Sequence, residues 1–180
     1  TDALSMARAV AYEGLGTFEF LVDLASYDLP FVFIECNPRL QVEHTITEEV
    51  TGVDLVQAQI ALAAGRRLRD IGLDPAAPPT VLGFAVQWRI NAETLDAQGN
   101  ATPGSGTLRR FDLPAGPGVR VDTHGAAGAT PSPHYDTLLA KLIVHTRSPR
   151  FADALRRSQR ALAECCIEGV ATNLALLQAL

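Results

Sequence analysis

The most reactive side chains of this 180-residue chain follow one another at every second position near residue 40. An extended backbone sends successive side chains to opposite faces, so alternate positions of such a run share one face. Pro38 favours this geometry, because a proline pushes the residue before it toward an extended conformation. We therefore expect residues 35–43 to be extended, with one face that carries Glu35, Asn37, Arg39, Gln41 and Glu43.

The acidic end of this face suits a divalent cation. Residues 17–22 and 31–34 are predicted strands that could pair as a hairpin, which would bring Glu19 close to Glu35. Two carboxylates in that position repel unless a cation lies between them. Carboxylate and amide oxygens are ligands for Mg²⁺ or Mn²⁺ rather than for zinc, so Glu19, Glu35 and Asn37 form a candidate metal site. The alternative is a pair of solvated surface acids.

The other end of the face suits a small anion with a removable proton. Arg39 could hold a planar oxyanion through two parallel hydrogen bonds, and Gln41 would add a donor. Glu43 would then lie beside the anion and could accept a proton from it. An ordinary surface ion pair between Arg39 and Glu43, which is worth little, stays open as the alternative.

Three further polar residues could have a binding or a structural role. Arg89 lies on the polar face of a predicted strand, residues 81–90, and is either a second anion ligand or a surface arginine. Lys141 is interpreted as a lysine with a buried stem near a strand. His44 is one step out of the alternation near residue 40, so we expect it to be structural.

The surrounding elements predict an α+β fold in two lobes, because strands dominate the middle of the chain and helices lie at its ends. The polar, then Pro- and Ala-rich stretch 66–79 is the candidate boundary, which gives domains 1–79 and 80–180. Several helix limits are predicted from local signals: a helix over 3–13, a capping box at Thr45 and Glu48, an Asp54 cap with Gly65 as terminator, and an N-cap at Ser148 before Pro149.

Composition narrows the class of protein. The chain is 47% hydrophobic with a formal net charge of −5 and no long basic run, which argues against a nucleic-acid partner. No apolar run reaches membrane-spanning length, and three cysteines give no disulfide framework, so a cytoplasmic location is expected. The chain opens without Met inside a predicted helix, and we expect it to be part of a longer protein.

Seven motifs, in collinear order over nearly the whole chain, resemble the biotin carboxylase component of biotin-dependent carboxylases. Glu-x-Asn alone is shared by the broader ATP-grasp superfamily, whereas the Arg-x-Gln-Val-Glu-His string is specific to this family. The resemblance implies the C-terminal part of an ATP-grasp domain followed by the biotin carboxylase C-terminal domain. The motifs lie at residues 16–20, 33–48, 51–55, 89–93, 103–106, 118–122 and 135–142.

The resemblance implies an enzyme that makes carboxyphosphate from ATP and bicarbonate and then carboxylates the ureido nitrogen of biotin. It implies Mg²⁺ or Mn²⁺, ATP and carrier-bound biotin as cofactors and substrates. The implied roles are Glu19, Glu35 and Asn37 for the metal and ATP, Leu21 for the adenine pocket, Arg39, Gln41 and the Val42 backbone for bicarbonate, Glu43 as general base, and Arg89 for the biotin enolate.

The resemblance also implies partners: a biotin carboxyl carrier protein or domain, a carboxyltransferase, and a second copy bound through the C-terminal domain. Arg120 lies in the stretch that corresponds to the family's dimer contact, but Pro117 stands where an aromatic residue is more usual. The family's N-terminal domain, Gly-rich lid and phosphate-binding lysines are not among these 180 residues. We therefore expect the isolated chain to lack carboxylase turnover.

Two other functions stay open at the level of sequence. One is another ATP-grasp ligase, such as the large subunit of carbamoyl phosphate synthetase, which shares the Glu-x-Asn strand and the use of bicarbonate. The other is a non-catalytic dimerisation fragment. The sequence leaves the final carboxyl acceptor undetermined among acyl-CoA, pyruvate and urea, because a carboxyltransferase selects it.

Overall fold

The structure is a computed structural model that describes residues 2–25, 31–132 and 134–180. The chain divides into two compact units, Thr1–Thr80 and Val81–Leu180, so the division follows the Pro- and Ala-rich stretch directly. The described residues form helices and antiparallel sheets, with six consecutive strands in the middle of the chain, which confirms the predicted α+β class. No described helix combines the length and the apolar character needed to cross a bilayer.

The first unit contains a two-stranded antiparallel sheet and short helices. The first helix ends four residues earlier than predicted, and Ala11 has a positive φ of 48° just beyond it. The predicted turn between the two strands falls largely on residues 26–30, outside the described residues. The elements are α1 (Asp2–Ala9), β1 (Thr17–Val22), β2 (Phe31–Asn37), α2 (His44–Thr51), α3 (Leu55–Ala63) and a 3₁₀ turn (Leu68–Ile71).

Strands β1 and β2 pair with a bulge at Ile34. Glu19 is directly opposite Glu35, but the next pair is Phe20 with Phe33, so Ile34 is the extra residue. The shift places the Phe20 ring 5.7 Å from the Phe33 ring and 5.6 Å from the Phe31 ring, both edge to face. Such ring pairs stabilise a sheet by about 0.5–1.5 kcal/mol each beyond their buried area. The aromatic contacts therefore fix the register that pairs the two glutamates.

The extended conformation predicted for residues 35–43 is wrong beyond Asn37. The Arg39 N–H donates to the Asn37 carbonyl at 2.8 Å, which closes a three-residue turn around Pro38. Proline has no N–H to continue a strand ladder, so the strand ends where the proline begins. Residues 42 and 43 then form a turn that leads into α2. Strand alternation therefore cannot place Arg39, Gln41 and Glu43 on the face of Glu35.

The caps of α2 and α3 follow the sequence only in part. Asp54 caps α3 as predicted, because its Oδ1 accepts the Gln57 N–H at 2.8 Å. The capping box at Thr45 is wrong: α2 begins at His44 after Glu43, and Thr45 is fully buried inside the helix. Glu48 accepts the Leu55 N–H at 2.8 Å instead, so its carboxylate joins the end of α2 to the start of α3.

The second unit contains a three-stranded antiparallel sheet in the order β3-β8-β7 and two further strand pairs, β4 with β5 and β6 with β9. The elements are β3 (Phe84–Asn91), β4 (Glu93–Leu95), β5 (Ala101–Pro103), β6 (Arg110–Asp112), β7 (Val119–Thr123), β8 (Leu138–Thr146), α4 (Phe151–Glu164), β9 (Cys166–Glu168) and α5 (Leu174–Ala179).

Helical spacing in the sequence predicts that α4 buries an apolar face of Phe151, Leu155 and Leu162, but the helix packs on this sheet with a face of small side chains instead. Phe151 and Leu155 are exposed, and only Leu162 of the predicted apolar face is buried. The buried positions are Ala154, Ser158, Ala161 and Leu162. Small residues let the helix backbone come close to the sheet, where Ile90, Leu142 and Val144 form the core with them.

Two local details of this unit complete the comparison. Helix α4 begins at Phe151, two residues later than predicted, and Ser148 accepts the Arg150 N–H at 3.2 Å just ahead of it. At the other end, burial raises the pKa of the Cys165 thiol to about 11, so this cysteine stays protonated at neutral pH.

Candidate functional site

Three side chains of the β1–β2 sheet meet around one amide nitrogen. Asn37 Nδ2 donates to Glu19 Oε1 at 3.1 Å and to Glu35 Oε1 at 2.8 Å. Glu19 and Glu35 are direct cross-strand partners, and Asn37 follows Glu35 by two residues on the same face. The structure therefore brings together all three residues that the sequence predicts as metal ligands.

These three residues fit a divalent cation with oxygen ligands. Both carboxylates reach the same point, and carboxylates directly opposite each other destabilise a sheet unless a positive group offsets the repulsion. A half-turn of the Asn37 amide would exchange its nitrogen for its oxygen and leave three oxygen ligands there. Mg²⁺ is commonly held by one or two carboxylates, with phosphate and water at its other positions. Among the described residues, no group of three or more His, Cys, Asp or Glu side chains is placed to hold a metal ion, so Asn37 is needed as the third ligand here.

The residues predicted to hold an anion lie beyond the strand, between Pro38 and α2. Arg39 is exposed, and its Nη1 donates to the Leu40 carbonyl at 3.2 Å. Gln41 is partly buried, and its Oε1 is enclosed without a hydrogen-bond partner among the residues that the structure describes. A buried amide oxygen without a donor costs about 1–3 kcal/mol, which a bound group with an O–H could recover. The grouping of Arg39, Gln41 and Val42 around one anion stays a prediction.

Glu43 is the residue that precedes the first turn of α2. Its backbone is helical, with φ −81° and ψ 0°, and its carbonyl accepts the Ile46 N–H at 3.0 Å. Its side chain makes no capping hydrogen bond to the helix.

The hydrogen bond that stabilises the turn before α2 was not predicted from the sequence. His44 Nδ1 lies 2.6 Å from the Gln41 carbonyl, and since a carbonyl only accepts, the ring donates from Nδ1. The other ring nitrogen, Nε2, lies 4.0 Å from Glu48 Oε2. The Nδ1 bond holds the turn to the start of α2, which agrees with the structural role expected for His44, and the buried Glu48 lies on the far side of the ring. The i, i+4 spacing of His44 and Glu48 was the available signal.

Arg89 belongs to the second unit. It is exposed on β3, beside the fully buried Ile90, as the predicted alternation requires. Its direct cross-strand partner on β8 is Lys141, whose own partner on β7 is Asp122. One face of this sheet therefore carries two cations side by side, next to a single carboxylate.

Lys141 has a buried stem, as expected, with 8% of the residue exposed. Its Nζ lies 3.1 Å from Asp122 Oδ2, and Arg120 Nε lies 2.8 Å from Asp122 Oδ1. Burial works to raise the pKa of Asp122, but hydrogen bonds and charge from Arg120 and Lys141 outweigh it and hold that pKa below its ordinary value. Asp122 therefore stays ionised and offsets the charge of Lys141 beside Arg89.

Two other predicted residues have clear positions. Leu21 lies on β1 opposite Val32, two residues beyond Glu19, and is 63% exposed. Pro117 is exposed, and its carbonyl accepts from Arg157 Nη1 at 3.2 Å.

Two protein families match the chain. Residues 87–180 match the family described as biotin carboxylase C-terminal domain. Residues 1–71 match the family described as carbamoyl-phosphate synthase L chain, ATP binding domain. The first match covers more than half of the chain and includes Arg89, and the second includes the predicted metal and bicarbonate residues.

The chain is also similar to named carboxylases. It is 48% identical to a pyruvate carboxylase of Pichia angusta over 183 residues, which cover 100% of this chain and 15% of the relative. A solved biotin carboxylase domain of a single-chain bacterial carboxylase is 51% identical with a TM-score of 0.85, over 98% of this chain and 39% of that one.

A second solved structure carries ligands. The biotin carboxylase domain dimer of the Hydrogenobacter thermophilus 2-oxoglutarate carboxylase, in complex with MgADP, ADP and bicarbonate, is 38% identical with a TM-score of 0.84. The match covers 98% of this chain and 36% of that one. The chain thus spans well under half of each of these relatives.

Proposed function

This chain belongs to the biotin carboxylase family, and from that premise we propose that it supplies metal, bicarbonate and biotin-binding residues to an ATP-dependent biotin carboxylase. The enzyme would form carboxyphosphate from ATP and bicarbonate and then carboxylate the ureido nitrogen of biotin on its carrier. The observation that carries the proposal is the meeting of Glu19, Glu35 and Asn37 directly ahead of the family-specific Arg-x-Gln-Val-Glu-His string, which begins at Arg39. The activity is proposed for the whole protein rather than for this chain alone. The chain corresponds to 15% of the length of the Pichia angusta relative.

The β1–β2 sheet would hold the metal-bound nucleotide. Glu19, Glu35 and Asn37 are the residues that would bind Mg²⁺ or Mn²⁺, and such an ion supplies neutralisation of the charge on the ATP phosphates. Leu21 is on the same face of β1 as Glu19, and its exposed side chain would line the adenine pocket. The MgADP bound to the Hydrogenobacter thermophilus relative supports a nucleotide site in this family.

The stretch before α2 would bind and activate bicarbonate. Arg39, Gln41 and the backbone of Val42 would hold the anion, and Glu43 would accept the proton from its hydroxyl. The oxygen that loses this proton gains the charge with which it attacks the terminal phosphorus of ATP, and ADP leaves. Support comes from the side-chain amide of Gln41, whose buried Oε1 has no hydrogen-bond partner among the described residues.

Arg89 would act on biotin. When the ureido nitrogen loses its proton, negative charge develops on the ureido oxygen, and a guanidinium stabilises it by charge and by two parallel hydrogen bonds. The exposure of Arg89 on β3 supports this role. The neighbouring Lys141 lies on the same face of the sheet with its charge offset by Asp122, so Arg89 is the group proposed to stabilise this oxygen.

The proposed partners follow from the family. Biotin-dependent carboxylases act with a biotin carrier and a carboxyltransferase, and we propose both for this protein. A homodimer through the C-terminal domain is also proposed, with Arg120 near the contact and Pro117 as a departure from the usual sequence. The cytoplasmic location stays a prediction.

The function can be tested on the entire biotin carboxylase domain that contains this chain. We expect ATP cleavage that depends on bicarbonate and rises when free biotin is added, with carboxybiotin as the product. Release of ADP would be measured with and without each substrate, and carboxybiotin by incorporation of labelled bicarbonate. Carbamoyl phosphate formed from ammonia, with no response to biotin, would contradict the proposal. It would favour the second candidate, which the family match of residues 1–71 supports.

The 180 residues alone should show no appreciable carboxylase turnover. Phosphoryl transfer needs charge stabilisation from several sides, and the family's lid and phosphate-binding lysines are not in this chain. The same ADP-release assay on the purified 180-residue chain checks this expectation, with the entire domain as positive control. Biotin-stimulated ATP cleavage by the purified chain would show the expectation to be wrong.

A further inference from the structure

Asn173 hydrogen-bonds to the backbone of β3 at Arg89, which lies 84 residues earlier in the sequence. Its Nδ2 donates to the Arg89 carbonyl at 3.1 Å, and its Oδ1 accepts the Asn91 N–H at 2.9 Å. Its own N–H donates to the Asn91 carbonyl at 3.1 Å. One side chain therefore grips β3 on both sides of Ile90, and a backbone bond adds a third attachment.

A carboxylate holds the Asn173 amide in this orientation. Glu93 Oε1 accepts from Asn91 Nδ2 at 3.1 Å and lies 3.5 Å from Asn173 Nδ2. Its second oxygen, Oε2, accepts from Thr137 Oγ1 at 3.1 Å. Because Glu93 is charged and Asn173 is tied to the backbone, the amide nitrogen of Asn173 is directed toward the Arg89 carbonyl.

The hydrogen bonds of Asn173 lie where the pairing of β3 with β8 is irregular. The pairing of β3 with β8 shifts register between Ile90 and Asn91, immediately after Arg89. A bulge re-aims the side chains beside it and interrupts the ladder bonds that would otherwise fix them. Lys141 is the direct cross-strand partner of Arg89, and Asp122 offsets the charge of Lys141. Strand β3 is an edge strand of its sheet, and the Asn173 bonds give its backbone additional attachments at this irregular point, next to Arg89.

We propose that Asn173 is a positioning residue that acts through Arg89, and this inference rests on the proposed role of Arg89 in binding biotin. Asn173 touches no substrate in this scheme. It fixes the main chain from residue 89 to residue 91, and thereby the direction in which the guanidinium leaves the sheet.

The test uses Asn173→Ala in the entire biotin carboxylase domain that contains this chain. We expect carboxylation of free biotin to fall by about 10- to 100-fold, the range associated with a displacement of roughly 1 Å at a reacting group. Bicarbonate-dependent ATP cleavage without biotin should change by less than about twofold, because Arg89 has no part in that step. Asn100→Ala is the matched control, since Asn100 also bonds through its side chain but to Asp96 in an exposed turn.

A double-mutant cycle separates positioning from general stability. On an Arg89→Ala background, Asn173→Ala should lower biotin carboxylation by less than about twofold, because the group that it positions is gone. Equal loss of both activities in the single variant, or full additivity in the cycle, would overturn the inference. If Arg89→Ala alone left biotin carboxylation unchanged, the proposed function of Arg89 would fail instead.

A second variant keeps the test open if Asn173→Ala does not fold. Glu93→Gln keeps the size of the side chain and removes the charge that orients Asn173. We expect a smaller loss of biotin carboxylation, about 3- to 10-fold, again with biotin-independent ATP cleavage preserved. Thermal unfolding of each variant would be measured alongside. A parallel decline of both activities in Glu93→Gln would contradict the inference.

Discussion

Glu43→Gln should lower biotin carboxylation by the entire biotin carboxylase domain by about 10²- to 10⁴-fold, which is the usual contribution of a general base. Glutamine has nearly the same shape as glutamate but cannot accept the proton of bicarbonate. The loss should appear in kcat with little change in the KM for bicarbonate, because Arg39, Gln41 and Val42 are the residues proposed to bind the anion.

The structure makes this substitution a clean one. Glutamine keeps nearly the same size and shape as glutamate, and the Glu43 side chain makes no capping hydrogen bond to α2 that the change could break. Steady-state rates of bicarbonate-dependent ATP cleavage and of carboxybiotin formation would both be measured. Glu13→Gln, at an exposed position of the same unit, is the matched control. A loss of less than about threefold would rule out Glu43 as the base.

Arg89→Ala should lower carboxylation of biotin by about 10²- to 10³-fold, the range seen when one group that stabilises a developing oxyanion is removed. Biotin-independent ATP cleavage should stay within about twofold of the unaltered protein. Arg89→Lys should recover only part of the loss, because lysine keeps the charge but lacks the two parallel donors of arginine.

The measurement compares carboxybiotin formation with ADP release in the absence of biotin. Arg160→Ala, on the exposed side of α4, serves as the matched arginine control. Full activity of Arg89→Lys would indicate that charge alone is required at this position. Equal decline of both reactions in Arg89→Ala would contradict a role confined to biotin.

The structure supports the proposed metal ligands more directly than the proposed bicarbonate-binding residues. Glu19, Glu35 and Asn37 are in contact, and this contact supports their proposed common role as metal ligands. Arg39 and Glu43 follow a turn at Pro38, and their role depends on a motif of the family rather than on strand geometry. The substitution at Glu43 is therefore the more demanding test of the proposed function.

Local patterns determined much of the fold. The limits of β1 agree with the alternation of residues 17–22, and the cap of α3 is the predicted Asp54. The pairing of β1 with β2 and the exposed position of Arg89 beside buried Ile90 also follow from the strand patterns, whereas the bulge at Ile34 belongs to the register that sets Glu19 opposite Glu35. Each of these features depends on the conformation of a few adjacent residues or on a single hairpin, so a short stretch of sequence contains the required information.

Tertiary structure decided the rest. Local periodicity did not predict three features of the structure. These are the turn around Pro38, the small-residue face of α4 and the hydrogen bonds of Asn173 to β3. Proline was compatible with both an extended run and a strand end, and the bonds made by its neighbours selected the second. Asn173 acts on residues more than 80 positions away, and only the packed chain brings them within hydrogen-bond distance. A hydrogen bond requires atoms within about 3 Å, and sequence patterns specify faces rather than such distances.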